Sequence, residues 1–81
     1  MPYITEARRQ YLSTDGSWPG VAGELNYMIT KLCKDYFEFH GPSYQAINDI
    51  VGALEGAKLE FYARVARPYE DEKIKQNGDV Y

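Results

Sequence analysis

Apolar residues recur with helical spacing over two long stretches of the chain. Val21, Leu25, Met28, Ile29, Leu32, Tyr36 and Phe39 fall at i, i+4, i+7, i+8, i+11, i+15 and i+18, one stripe along a helix over residues 21–39. Lys31, Lys34, Asp35 and Glu38 occupy the other side. His40-Gly41-Pro42 closes it, because glycine suits a C-terminal cap and proline cannot continue a helix. Ser43 is the expected N-cap of a second long helix over residues 44–67, with Ile47, Ile50, Val51, Leu54, Ala57, Phe61 and Val65 as its stripe. Pro68 is expected to stop that helix after about 36 Å. Ahead of both, Thr5 predicts an N-cap and Glu6 an acidic first turn for a short helix over residues 5–13. The run Asp15-Gly-Ser-Trp-Pro-Gly20 predicts a loop; Tyr69 to Gln76 is a charged stretch, a turn or one last helical piece, and Asn77 to Tyr81 a turn and short tail. A short connection makes neighbouring helices antiparallel. The fold class is therefore all-α: a short N-terminal helix plus an antiparallel hairpin of two long helices, in a single domain over residues 1–81.

The stripes are wider than a hairpin needs. Tyr27, Cys33 and Phe37 broaden the first, and Leu59, Tyr62 and Ala66 form a second ridge on the other helix. Surplus apolar surface of this kind marks an interface, so the chain is expected to assemble as a helical homo-oligomer, dimer or tetramer. The competing expectation is that the short first helix folds over the second ridge. Gly52, Ala53, Gly56 and Ala57 make a flat groove at a cost of about 1 kcal/mol per helical glycine. Such a groove suits close approach by another backbone or by a flat ligand.

Composition narrows the chemistry. At 81 residues the chain is small for a lone core, and one cysteine with one histidine excludes a disulfide framework and multi-cysteine zinc sites. Nine basic against twelve acidic residues, net −3, argue against coating long nucleic acid. No apolar run reaches a membrane span, and no secretory leader is evident, so a cytosolic protein is expected. Eight tyrosines supply rigid rings with polar tips, which suit interfaces and flat ligands.

No catalytic constellation emerges, and the chain is read as a non-enzyme with no cofactor and no metal. Cys33 and His40 lie two helical turns apart, roughly 10 Å, too far for a thiol–imidazole pair. Cys33 reads as a small packing residue and His40 as a complement to the helix dipole. The consecutive carboxylates Glu70-Asp71-Glu72 point different ways around a helix. Recognition is the better prospect. Arg8 and Arg9 sit near Tyr3 and Tyr11, and Lys58, Tyr62, Arg64, Arg67 and Tyr69 cluster along the second long helix. Guanidinium groups beside tyrosine rings offer a nucleotide both phosphate contacts and a face for the base. The plainer reading is that Lys58, Arg64 and Arg67 pair with Glu55, Glu60 or Glu70 on the surface.

Several segments carry a resemblance: Met1-Pro-Tyr-Ile4 with Arg8-Arg9, Gly23-Glu-Leu-Asn-Tyr27, Ala57-Lys-Leu-Glu-Phe-Tyr62, Pro68-Tyr-Glu-Asp71 and the ending Asn77-Gly-Asp-Val-Tyr81. Together they resemble a family of small proteins of tailed phages and prophages. The Asp15–Gly20 loop is shorter than in that family, and Ala63 stands where relatives often carry a second arginine. The chain is also similar in size and helical character to phage sponge proteins of the anti-CBASS class. Those bind the cyclic nucleotide signals of bacterial defence, cyclic dinucleotides among them, and keep them from their effectors. The resemblance implies a homo-oligomer in the host bacterial cytoplasm that captures a small cyclic nucleotide without catalysis. It implies Arg8, Arg9, Lys58 and Arg67 on phosphates, Tyr3, Tyr62 or Tyr69 stacked on bases, and Asn26 on a base edge. The alternatives are an interaction protein that inhibits a host protein, or a structural phage accessory.

Overall fold

The computed structural model describes residues 4–13 and 18–81, and all its regular elements among them are helical. They are α1 (Glu6–Leu12), α2 (Ala22–His40), α3 (Tyr44–Phe61), a π-helical segment (Tyr62–Ala66) and α4 (Arg67–Asn77). The chain divides into two units, Met1–Ala46 and Ile47–Tyr81, each taken by itself below.

In the first unit the local signals set the helix ends. The Thr5 hydroxyl accepts from the Arg8 backbone N–H at 3.2 Å, and Ser13 closes α1 with its own N–H on the last carbonyls. Val21 precedes α2 without a side-chain cap, and Glu24 serves instead: its carboxylate reaches back to the Gly20 N–H at 2.7 Å. This is a reach-back like that of a capping box, made one residue ahead of the N-cap. Gly41 ends α2 at φ 85°, a left-handed backbone that a residue with a Cβ resists. The Ser43 hydroxyl then accepts from the Ala46 N–H at 3.0 Å, the cap expected for α3. α1 packs on α2, and Ile4 and Leu12, at the two ends of α1, are buried.

The second unit departs from expectation. Pro68 does not end the helix; α3, the π segment and α4 run on without a break, and the charged stretch after Pro68 takes the helical of its two expected forms, as far as Asn77. Proline inside an α-helix lacks a donor, and its ring meets the carbonyl four residues back. Here the wide turn receives the proline: the Arg67 N–H bonds to the Tyr62 carbonyl, five residues back, and Pro68 falls within the first turn of α4, where a missing N–H leaves less unmet. Helix ends at Gly78, again at φ 85°. None of residues 47–81 is buried; Val51, Leu54, Phe61, Val65 and Ile74 all present apolar surface. The first unit likewise leaves Leu32 and Phe39 of the α2 stripe 72% and 85% exposed.

Candidate functional site

Two clusters of cationic and tyrosine side chains exist, one in each unit. In the first, adjacent arginines of α1 meet opposite fates. The Arg8 guanidinium forms a forked ion pair with Glu24, through Nε to Oε2 and through Nη2 to Oε1 at 3.0 Å. The same nitrogen lies 3.4 Å from the Trp18 carbonyl, and the guanidinium carbon sits 4.5 Å from the Tyr11 ring centroid. The Arg8 hydrogen bonds, with that from Gly20, hold the Glu24 carboxyl down at about 2, well below its ordinary value. The forked geometry also raises the Arg8 pKa. Sixteen residues separate the partners, so the pair fastens α1 to the start of α2.

Arg9 stands on the neighbouring face. With Glu6, Gln10, Ser13 and Tyr27 it lines an open concavity of about 490 Å³. Among the described residues Arg9 makes no ion pair, nor does Glu6, although they lie one turn apart on α1. The Ser13 hydroxyl donates to the Arg9 carbonyl at 2.9 Å and lies 3.1 Å from the Tyr27 hydroxyl. Tyr27, expected as a packing residue, therefore brings a polar tip to this concavity. Tyr36 lies against His40 one turn on, the ring centroids 4.2 Å apart and the planes tilted by 38°.

In the second unit the expected surface pairs form at two cations: Lys58 with Glu55 at 3.6 Å, and Arg64 with Glu60. Glu70 takes no arginine; it accepts from the Tyr62 hydroxyl at 2.9 Å, which raises the Tyr62 pKa. Arg67 is left without an ion pair among the described residues. Tyr69 is exposed, with the Lys73 ammonium 5.5 Å from its ring centroid. Asn26 accepts from Thr30 on the exposed side of α2 at 3.1 Å. Tyr3 lies outside the described residues. The structure thus groups Arg9 with Tyr27, Ser13 and Glu6, and Tyr62 with Glu70 near Arg67. The Glu24–Arg8 pair and the Ser13–Tyr27 contact are invisible to local pattern, because they act across 16 and 14 residues of sequence.

Among the described residues no cluster of three or more metal-ligating side chains occurs, and no helix is long and apolar enough to cross a membrane. What the helices and these clusters define is a small all-helical protein with exposed polar clusters on its surface. The chain belongs to the family described as a domain of unknown function, DUF6899, whose model matches residues 1–80. No curated protein and no solved structure matches it.

Proposed function

We propose that this is a non-catalytic, homo-oligomeric phage protein that captures a cyclic nucleotide messenger of bacterial defence in the host cytoplasm. One observation carries the reading: among the described residues Arg9 has no carboxylate partner, and it lines an open concavity with two hydroxyls, in a chain with twelve acidic residues against nine basic ones. In such a chain the ordinary fate of an arginine is that of Arg8 or Arg64, paired with a glutamate. A guanidinium left open is suited to a phosphate. Arg67, beside the Tyr62–Glu70 pair, is the corresponding group in the second unit. Self-association supplies what the helices lack alone: the apolar stripes exposed on α2 and on α3 are covered by another copy. A two-fold assembly presents each cluster twice, matching the symmetry of a cyclic dinucleotide.

Calorimetry against cyclic dinucleotides and cyclic ADP-ribose isomers tests this. At least one is expected to bind at micromolar concentration or tighter, and Arg9→Ala is expected to weaken it about tenfold or more, the value of one charge-assisted contact. Absence of binding to every member overturns the reading. Capture of one host protein without any nucleotide favours the inhibitor alternative.

A further inference from the structure

We infer that the α1–α2 concavity is a subsite for a ligand carrying one anionic oxygen at one end and hydrogen-bond donors about a helical turn away. That is the chemistry of a nucleotide, its phosphate on Arg9 and its sugar hydroxyls or exocyclic amine on Glu6, Ser13 and Tyr27. The inference rests on the nucleotide reading above and assigns that ligand its orientation.

The two opposite charges of the lining argue for that orientation. The Ser13 hydroxyl reaches the Arg9 carbonyl at 2.9 Å. The Ser13 and Tyr27 hydroxyls lie 3.1 Å apart, and either can donate to the other. Both residues line the concavity, and each hydroxyl oxygen keeps lone pairs with which to accept. Glu6 adds a carboxylate, an acceptor only. Among the described residues of the lining, Arg9 is the one cation. The lining therefore sets a donor-only cation at Arg9 against an acceptor-only carboxylate at Glu6, with the Gln10 amide and the Ser13 and Tyr27 hydroxyls beside them. Residues three apart on a helix have Cβ atoms roughly 5–6 Å apart and normally pair when oppositely charged. Glu6 and Arg9 do not, and neither has another ion-pair partner among the described residues, which suits a ligand that spans them. A bare anion satisfies Arg9 and meets repulsion from Glu6; a nucleotide satisfies both.

Side-chain NMR with cyclic dinucleotides, 5′-AMP and inorganic phosphate as probes tests the assignment, with circular dichroism to confirm that each variant stays folded. Cyclic dinucleotide is expected to move the Arg9 Nε–H and Tyr27 ring signals. Glu6→Gln is expected to weaken nucleotide about tenfold while inorganic phosphate binds equally or better, because a repelling charge is gone. Arg9→Ala is expected to weaken both. Cyclic dinucleotide binding with shifts confined to residues 58–69 overturns the subsite and leaves the nucleotide reading standing. Shifts at Arg9 and Tyr27 with 5′-AMP, and none with any cyclic nucleotide, support the subsite and sink the messenger reading. No shift with any probe at millimolar concentration overturns both.

Discussion

The Tyr62 hydroxyl donates to the Glu70 carboxylate eight residues further along one continuous helix. In an α-helix, residues eight apart point about 80° away from each other, whereas residues seven apart nearly align. The π turn that begins at Tyr62 absorbs one extra residue and restores the alignment. One feature of the backbone thus accommodates Pro68 and also decides which side chains share a face after it.

Replacing Pro68 with alanine restores a donor and removes the ring, so the helix is expected to relax to regular α geometry. Helicity by circular dichroism rises, and stability rises by up to about 3 kcal/mol, the usual cost of an interior proline. The Tyr62–Glu70 bond is lost with the phase shift. Unchanged helicity together with an intact Tyr62–Glu70 bond would show that the wide turn has another cause.

Tyr62 holds its proton above the ordinary tyrosine value of 10.0, because of the hydrogen bond to Glu70 and then that carboxylate's charge. A raised folded-state pKa means the contribution is fully present below about pH 10 and disappears as pH rises through the folded value. Ultraviolet titration is expected to show one late-ionising tyrosine, and Glu70→Gln to bring it back toward the others. A titration curve identical in the two proteins contradicts the assignment.

The Glu24 carboxyl titrates at about 2 against an ordinary 4.5. A depressed value contributes stability above pH 4.5 that is lost as pH falls toward about 2. Docking of α1 should weaken across that acid window, read from hydrogen exchange at Arg9 to Leu12. Glu24→Gln should give the same loss at neutral pH. Exchange rates in α1 that do not respond to either change would mean the ion pair does not fasten the helix.

Gly52 and Gly56 have open space where a side chain would begin: a Cβ at either position meets nothing within 4 Å. Alanine at both is expected to strengthen the isolated helix by up to about 1 kcal/mol per site. If another copy approaches this groove, the same change weakens assembly. Sedimentation of the double variant should show a lighter mean particle alongside a higher melting temperature. A 9.3 kDa particle for the native chain at tens of micromolar would rule out the oligomer.

Much of this fold was legible locally. Thr5, Ser43 and Gly41 act through neighbours three or four residues away, or through their own φ, so their roles follow from residue type. Pro68 shows the limit: the rule that proline ends a helix is statistical, and a π turn satisfies the same constraint differently. Arg8 and Arg9 show another. They are adjacent and chemically identical, and only Glu24, distant in sequence, separates a fastening from an open cation. Tyr27 read as packing because its ring lies near an apolar stripe, while its hydroxyl answers to Ser13 at the end of a different helix.

The central claim is capture without chemistry, and recovery of the ligand tests it most directly. The protein is saturated with a cyclic dinucleotide, freed of unbound material, heated, and the released small molecules weighed by mass spectrometry. Intact nucleotide in fixed stoichiometry to the chain is expected, with affinity reduced about tenfold or more by Arg9→Ala. Recovery of a linearised or cleaved product, or of no nucleotide at all, would contradict it.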